Sequence, residues 1–405
     1  MRKVISENKV PIKLWLDDME DGAMEQATNL ANLPFAFKHV AIMPDSHQGY
    51  GMPIGGVLAT KDVIIPNAVG VDIGCGMCAV KTSLTSLDTE TLKSIMGEIR
   101  KVIPVGFNKH KEDQDENLMP DRNHMLEDWN FSVFEKFYPV VFNYFNGALK
   151  SLGTLGGGNH FIEIQKGDDG HIWIMIHSGS RNLGKQVADH YNKIAKSLNQ
   201  KWHTQVDLKW DLAFLPTDSE EGKAYIREMN YCVDFALANR QLMMNRVINI
   251  FKELKLISRK EATYSYSLEM INIAHNYASL ENHFGQNVMV HRKGATSAKE
   301  GETGIIPGSQ GTKSYIVKGK GNKESFTSCS HGAGRKLGRK AAQKELDLDA
   351  EIKHLDKMGV VHSIRGVNDL DEAPSAYKNI DTVMENQKDL VEILVELTPL
   401  GVIKG

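Results

Sequence analysis

Apolar positions recur along this chain at two spacings, one typical of helices and the other typical of strands. Apolar residues three and four positions apart predict amphipathic helices over residues 17–33, 86–102, 131–152, 187–198 and 220–255. Short apolar runs bounded by glycine, proline or polar residues predict strands over residues 57–60, 62–65, 79–82, 161–164 and 172–176. We therefore expect helices and sheets to be mixed throughout the chain.

Two segments interrupt this pattern. Residues 40–56 predict a strand that runs into a loop rich in glycine and proline, and this loop holds Asp45 and His47. Residues 108–128 are charged and lack periodicity, so they predict a surface loop or lid, with disorder as the alternative.

Composition narrows the class of protein. The 405 residues include four cysteines, which we interpret as free thiols, and no apolar run long enough to span a bilayer. With no recognisable signal peptide, a cytoplasmic enzyme that does not contact membranes is expected. The net charge of −3 argues against a binder of nucleic acid along the whole surface, so any such contact must use a local basic patch.

The first candidate for chemistry is the turn over residues 69–78, VGVDIGCGMC. Its glycines allow a tight backbone that aims Asp72 and Cys75 at one point. A thiolate can bridge two metal ions, so this pair predicts a dinuclear site. A buried cysteine beside a turn-capping aspartate is the alternative.

Three histidines occur in comparable places, at the end of an apolar run or after glycines. They are His160, His177 and His275. Together with Asp72 and Cys75 they provide ligands for two borderline divalent ions such as manganese, zinc or cobalt. Because these residues span some two hundred positions, the segments that carry them must fold around one site, and we predict one interwoven domain over residues 1–405.

Several further loops predict phosphate or nucleotide contacts. Residues 177–186 nearly match a phosphate-binding loop, and Arg181 and Lys185 would reinforce an anion site there, with a plain helix cap as the alternative. The basic cluster over residues 291–293 follows a strand, and residues 306–314 form a loop of small and hydroxyl residues. His331 lies among small residues with Arg335 and Arg339 behind it, as nucleophilic attack on a nucleotide α-phosphate requires; a surface histidine at a helix start is the alternative.

Six motifs together resemble one family, the RtcB-type RNA ligases. They are VDIGCGM (71–77), GGGNHF (156–161), HSGSRNLG (177–184), HRKGAT (291–296), PGSQGT (307–312) and HGAGR (331–335). The resemblance extends over essentially the whole chain. Residues 105–110 depart from the family pattern, so the resemblance specifies the GTP chemistry more closely than the preference for RNA ends.

The resemblance implies an α+β fold with β-sheets around a dinuclear metal site and flanking helices. It implies that Asp72, Cys75, His160, His177 and His275 hold two Mn²⁺ ions, with Cys75 bridging them. It also implies that His331 attacks GTP to form a covalent histidine–GMP. This guanylyl group would activate an RNA 3′-phosphate, itself derived where needed from a 2′,3′-cyclic phosphate, for attack by an RNA 5′-hydroxyl, as in tRNA splicing or RNA repair.

Nucleotide contacts follow from the same motifs. The expected GTP-binding residues are Asn159, His160, Phe161, Ile162, Glu163, His275, Asn276, Pro307, Gly308, Ser309, Gln310, Ser314, His331, Gly332, Ala333, Gly334, Tyr377 and Lys404. The expected RNA contacts are Asp45, Arg181, Arg292, Arg335 and Arg339. The partners would be GTP and RNA ends, and the enzyme would act as a monomer.

Two other classes remain open at this point. One is a dimetal phosphohydrolase in which His331 is an acid or a ligand, and the other is a non-catalytic RNA-binding protein. A nucleotide attached to the protein distinguishes the ligase from both.

Overall fold

The computed structural model describes residues 1–120, 131–258 and 270–405 and mixes helices with strands as expected. The α-helices in this part of the chain are α1 (Asp21–Ala31), α2 (Pro66–Val69), α3 (Thr89–Val102), α4 (Phe131–Phe137), α5 (Pro139–Leu149), α6 (Arg181–Lys201), α7 (Glu220–Glu253), α8 (Arg339–Glu345), α9 (Leu348–Lys357) and α10 (Ile380–Asn386). The predicted α+β class is therefore confirmed.

The strands alternate with these helices along the chain. They are β1 (Lys3–Ile5), β2 (Ile12–Leu14), β3 (Ala36–Tyr50), β4 (Met52–Thr60), β5 (Val63–Ile64), β6 (Gly76–Lys81), β7 (Phe161–Gly167), β8 (Ile172–Ser178), β9 (Leu215–Pro216), β10 (Ile271–Ala274), β11 (Asn276–His283), β12 (Gln286–Lys293), β13 (Ala295–Ser297), β14 (Thr303–Ile306), β15 (Ser314–Gly319), β16 (Ser328–Ser330) and β17 (Val391–Lys404).

Two larger sheets organise the fold. One has six strands in the order β1-β2-β3-β4-β12-β11, and the other has seven in the order β10-β6-β8-β7-β17-β15-β14. Strands from the first hundred residues and from the last hundred thus lie in the same sheet, as one interwoven domain requires; the extent of that domain stays a prediction.

Helix α7 supports the seven-stranded sheet. Its apolar residues Met243, Val247 and Phe251 are fully buried and belong to the same core as Ile174 and Ile176 of β8. Removing such aliphatic surface from water stabilises the contact by roughly 2 kcal/mol per side chain. The helix therefore gives the sheet a rigid backing.

Most predicted helices are present with adjusted bounds. The helix predicted over 220–255 is α7, and that predicted over 86–102 begins at Thr89, where the Asp88 carboxylate accepts a hydrogen bond from the backbone N–H of Thr91. The helical pattern predicted over 131–152 is present but is not continuous. It is divided into α4 and α5 at Pro139, which lacks the N–H that would continue the hydrogen-bond ladder.

The strand predicted to begin at residue 40 is present, but the loop predicted to follow it within residues 40–56 is wrong. Strands β3 and β4 form a long hairpin there, and Asp45 and His47 lie within β3. The pairing register shifts between Ile42 and His47, so the segment is an irregular strand and not a loop. Bulges of this kind accommodate glycine and proline inside a sheet and redirect the adjacent side chains.

The segment predicted as a surface loop or lid is only partly covered, because residues 121–128 lie outside the described residues. Within the described part, Glu116–Leu118 forms a short 3₁₀ turn. The Arg246 guanidinium of α7 binds His110 Nε2 at 2.8 Å and the Gln114 amide oxygen at 2.5 Å. Residues 110–114 are therefore attached to the helix.

None of the helices in the described ranges combines the length and the apolar character needed to cross a membrane.

Candidate active site

Four neighbouring strands of the seven-stranded sheet end or begin at one edge. Residues Gly76 and Phe161 open β6 and β7, and Ser178 and Ala274 close β8 and β10. The antiparallel register pairs Gly76 with both Ser178 and Ala274 and pairs Phe161 with His177. Residues at these strand ends are therefore brought together although they are far apart in sequence.

This edge is where the five predicted metal ligands meet. Cys75 Sγ lies 3.4 Å from His160 Nε2 and 3.3 Å from His177 Nε2. Asp72 Oδ2 lies 3.3 Å from His160 Nε2, and His177 Nε2 lies 3.4 Å from His275 Nε2. The potential ligand atoms of Cys75, His160 and His177 all lie within 4.8 Å of one another.

The hydrogen bonds around the imidazoles determine which nitrogens can bind a cation. His160 Nδ1 lies 2.9 Å from the Leu155 carbonyl oxygen, and His177 Nδ1 lies 3.0 Å from that of Asn159. A carbonyl only accepts, so both Nδ1 atoms carry the proton and both Nε2 atoms present lone pairs to the Cys75 sulfur. One S–H donor satisfies only one of these lone pairs, whereas a cation satisfies both, so the arrangement fits a metal centre.

The pKa values of His177 and His275 agree with a metal centre at this position. Burial and the His160 imidazole hold the pKa of His177 well below its usual value, and burial and His331 do the same for the pKa of His275. Both rings are therefore neutral at neutral pH, as metal ligands must be. His275 Nδ1 is buried and has no hydrogen-bond partner among the described residues.

Two buried side chains of α7 support the turn that carries Asp72 and Cys75, and neither was identified from the sequence. The Arg240 guanidinium donates to the carbonyl oxygens of Gly74 at 2.9 Å and Ser178 at 2.8 Å, so it joins the turn before β6 to the end of β8. The Asn239 amide donates to the carbonyl oxygen of Gly179 at 3.2 Å. In the sequence, the only sign of Arg240 and Asn239 was that they are polar residues within the apolar pattern of a long helix.

Two glycines permit the close approach of these elements. Gly74 has a φ of +75°, and a Cβ atom there would lie 2.8 Å from the Val233 Cα atom of α7. A Cβ atom on Gly179 would lie 2.5 Å from Asp72 Oδ1. Larger residues at either position would displace the turn that carries Asp72.

His331, the residue directly after β16, faces this cluster. Its ring centroid lies 4.8 Å from that of His275. Its Nδ1 atom lies 2.6 Å from Asp45 Oδ2, and its backbone N–H donates to the same oxygen at 3.1 Å. Because the buried carboxylate accepts the proton on Nδ1, the Nε2 atom is left with a free lone pair.

Two cavities meet at His331. The larger has a volume of about 2200 Å³ and includes Asp72, Cys75 and His275 in its lining. The smaller has a volume of about 530 Å³, and its lining includes Glu163 and Lys404. His331 lines both, as do Asn159 and Tyr377.

The smaller cavity contains most of the predicted nucleotide contacts. Its lining includes Asn159, Phe161, Glu163, Pro307, Gly308, Ser309, Gln310, His331, Gly332, Tyr377 and Lys404. His160, His275, Asn276 and Gly334 line the larger cavity instead. The remaining three, Ile162, Ser314 and Ala333, are buried and line neither cavity. The Ser314 hydroxyl accepts a hydrogen bond from the backbone N–H of Gly308, a lining residue, at 3.1 Å.

Glu372 is a wall residue that the sequence analysis missed. Its carboxylate binds Arg335 Nη1 at 3.1 Å, Arg339 Nε at 3.3 Å and the Tyr377 hydroxyl. Lys404 Nζ lies 3.6 Å away. The carboxylate therefore holds three cationic side chains at the boundary between the two cavities.

The predicted RNA contacts differ in accessibility. Asp45 and Arg292 are both fully buried, and the Arg292 guanidinium binds Glu281 at 2.5 and 3.0 Å. Neither side chain is available to an RNA phosphate, so these two contacts are corrected: Asp45 orients His331, and Arg292 pairs with Glu281 inside the six-stranded sheet. A basic residue in a strand sequence does not reveal that its partner, here Glu281, lies buried on the neighbouring strand β11.

The three remaining arginines lie nearer to the cavities. Arg181 places Nη1 3.3 Å from His160 Nδ1, and the Arg335 guanidinium is bound to Glu372. The Arg339 side chain lines the larger cavity and is 52% exposed. Lys185, expected to reinforce an anion site with Arg181, instead pairs with Asp189 along α6.

Comparison with known proteins gives one consistent result. A family model described as tRNA-splicing ligase RtcB matches residues 26–405. The chain is 39% identical over 414 residues to RNA-splicing ligase RtcB of Escherichia coli, a match that covers 100% of this chain and 99% of the relative. It is 33% identical over 469 residues to tRNA-splicing ligase RtcB of Thermococcus kodakarensis, which covers 98% and 95% of the two chains.

Proposed function

This chain belongs to the RtcB family and is an RNA ligase, and from that premise we propose that it joins RNA ends by a GTP- and Mn²⁺-dependent reaction through a covalent histidine–GMP. The ends would be a 3′-phosphate or 2′,3′-cyclic phosphate and a 5′-hydroxyl, and the enzyme would act as a monomer. The observation that carries the proposal is the position of His331, which lines both cavities. The smaller one is lined by most of the predicted nucleotide contacts, and the larger one includes Asp72, Cys75, His160 and His275 in its lining.

We propose that the smaller cavity binds GTP. The guanine base presents N–H donors that a carboxylate such as Glu163 can accept, and the Tyr377 ring offers an apolar surface. The Lys404 ammonium is close enough to Glu163 to oppose the rise of its pKa. Glu372, which fixes Lys404 and Tyr377, would keep this wall in place.

In the first chemical step, His331 Nε2 would attack the α-phosphorus of GTP. A nitrogen–phosphorus bond forms, the bond between the α-phosphorus and the bridging oxygen breaks, and pyrophosphate leaves. The Asp45 carboxylate would stabilise the positive charge that develops on the ring, as the carboxylate of a catalytic triad does. In the next steps the guanylyl group passes to an RNA 3′-phosphate, and attack by a 5′-hydroxyl releases GMP.

We propose that Asp72, Cys75, His160, His177 and His275 hold two divalent ions where the two cavities meet, since His177 lines the smaller cavity and the other four line the larger one. Ions bound there would neutralise charge on phosphate oxygens and orient them. The cluster itself supports manganese among other borderline metals, because thiolate and imidazole ligands are combined with a carboxylate. Arg339 would contact RNA phosphate at the rim.

Incubation of the wild-type protein with Mn²⁺ and α-labelled GTP should leave one acid-labile GMP per chain, detected as label and as added mass. The same protein should join a 3′-phosphate RNA to a 5′-hydroxyl RNA. A dimetal phosphohydrolase would release product without keeping label, and a protein that only binds RNA would do neither. Failure of both labelling and joining would refute the proposal.

The affinity for GTP should rise with pH because of Glu163. Burial raises the pKa of this carboxyl to about 8, so the ionised form that accepts guanine N–H groups grows as pH rises towards that value. We expect the affinity for α,β-methylene GTP, measured by calorimetry with Mn²⁺ present, to rise by about tenfold between pH 6 and pH 7 and by less as the pH approaches 8.

The matched control for this prediction is Glu163→Gln, which keeps the shape of the side chain but does not ionise. It should bind the analogue more weakly and lose one unit of the slope of log affinity against pH. Ionisation of the triphosphate and of the metal ligands affects both proteins equally. Equal slopes in the two proteins would exclude Glu163 as the guanine acceptor.

A further inference from the structure

A tyrosine at the rim of the larger cavity is exposed in a way that the proposed chemistry does not use. The Tyr50 side chain is 77% exposed, and among the large apolar and aromatic residues in the described ranges only Phe107 is more exposed. Tyr50 lines the same cavity as Asp72, Cys75 and His331 but does not line the smaller one. An exposed aromatic ring beside a site that binds a polymer is a typical contact residue.

The backbone beneath this ring is held firmly. Tyr50 is at the end of β3, opposite Met52 across the turn at Gly51. The Gln26 amide donates to the Gly49 carbonyl oxygen at 2.7 Å and accepts from the Gly49 N–H at 3.1 Å. The Lys293 ammonium donates to the Tyr50 carbonyl oxygen at 2.5 Å. The ring is therefore presented to solvent from a rigid hairpin, so little backbone entropy is lost when a ligand binds.

A second exposed apolar residue lies close to this hairpin. The Lys293 ammonium also donates to the Asn67 carbonyl oxygen at 2.9 Å and so joins the hairpin to α2. The chain continues from α2 through Gly70 to Val71, which is 47% exposed, lines the same cavity and directly precedes Asp72. The rim beside the predicted metal ligands thus has an aromatic ring and an aliphatic side chain on one continuous support.

We propose that Tyr50, together with Val71 in the lining of the same cavity, forms a stacking surface for a nucleobase of single-stranded RNA close to the ends being joined. The inference rests on the proposed function, because it takes the larger cavity as the path of the RNA. Every base has a π-face, so a stacking contact supplies affinity without selecting a sequence. Hydrogen bonds to base edges would be the alternative means of recognition, and Val71 offers none.

Charge supports RNA as the occupant over an apolar partner. Arg339 lines the same cavity, and its side chain is 52% exposed. A cationic side chain that reaches solvent beside stacking rings is the usual combination in sites for single-stranded nucleic acid. The surface is also continuous with the cavity in which the RNA ends must react.

The test is the affinity for labelled RNA, measured by fluorescence anisotropy with Mn²⁺ and without GTP, so that no reaction occurs. Two single-stranded oligonucleotides are used, one ending in a 3′-phosphate and one in a 5′-hydroxyl. For at least one of them, Tyr50→Ala should weaken binding by about tenfold, while Tyr50→Phe should retain affinity within about twofold, because phenylalanine keeps the ring. Thermal unfolding of each variant shows whether the fold is kept.

The control variant is Tyr144→Ala, which removes an exposed tyrosine of α5 that does not line the larger cavity. It should bind both RNAs as the wild type does.

RNAs that carry one abasic nucleotide, placed in turn at each of the first four positions from the end, provide a complementary test. Where the abasic site removes the stacked base, the wild type and Tyr50→Ala should have the same affinity for the RNA.

Unchanged affinity of a folded Tyr50→Ala protein for both RNAs would overturn the inference, as would an equal loss in Tyr144→Ala. Labelling of the wild-type protein by GTP, which needs no RNA, tests the proposed function separately. If GTP labels the wild-type protein and Tyr50→Ala binds RNA as tightly as the wild type does, the proposed ligase mechanism stands and only the stacking surface is refuted.

Discussion

The His331→Ala variant is expected to carry no label after incubation with Mn²⁺ and α-labelled GTP. Alanine has no nitrogen to bond to phosphorus, and loss of a covalent nucleophile lowers turnover by ~10⁴-fold or more. Joining of a 3′-phosphate RNA to a 5′-hydroxyl RNA should fall below detection in the same assay. Labelling is measured as acid-labile radioactivity on the denatured chain and as added GMP mass.

A companion variant tests why His331 would be reactive. In Asp45→Asn the contact at 2.6 Å to His331 Nδ1 can persist, but the negative charge is lost. Labelling should slow by about 100-fold or more, since an amide neither stabilises a developing imidazolium nor enforces the tautomer. Both variants should unfold at a temperature near that of the wild type. Persistent label on His331→Ala would assign the nucleophile to another residue.

The Cys75→Ala variant is expected to lose both metal ions. If one thiolate is shared by two ions, its removal takes a ligand from each, and the remaining donors form two incomplete sites. Metal content per chain, measured by mass spectrometry of the element after gel filtration, should fall from two to near zero. RNA joining and labelling by GTP should both be lost.

Cys78→Ala is the matched control because Cys78 is equally buried but lies in the core with Ile174 and Ile176, away from the imidazoles. It should retain two ions, although the lost sulfur costs some stability. Retention of two ions by Cys75→Ala would contradict the shared ligand.

The pH dependence of metal loading provides a further check on the same residue. Burial and the Asp72 carboxylate raise the pKa of the Cys75 thiol well above its usual value, so binding of a cation must release the thiol proton. The metal affinity of the wild type should therefore fall as pH falls. In a Cys75→Ala protein any residual binding should lose this part of the dependence.

Local sequence was sufficient for the features that depend on neighbouring residues. The long apolar period of α7 and the glycine-rich turn around Asp72 were both read from consecutive positions. The ligand types were also readable, because each candidate lies at the end of an apolar run, after glycines or in a glycine-rich turn. Strand ends meet at sheet edges, so the convergence of Cys75, His160 and His177 followed from the same pattern.

Features that depend on distant partners were missed. Arg292 looked like a phosphate contact, but it is paired with Glu281 on the adjacent strand. Asp45 looked like a loop residue, but a bulged strand carries it to His331, 286 positions further along the chain. Arg240 was not singled out in the sequence, yet it joins the carbonyl oxygen of Gly74, in the turn before β6, to that of Ser178 at the end of β8.

The sequence alone thus determined the mixture of helices and strands, the chemical types of the candidate ligands and the family resemblance, since each of these is written in short stretches of the chain. The tertiary structure decided which charged groups are buried in pairs and which face the cavities, and it placed His331 between the two. The physical reason is that exposure and ionisation depend on the groups nearest in space, and for a strand end or a buried charge these come from remote parts of the chain.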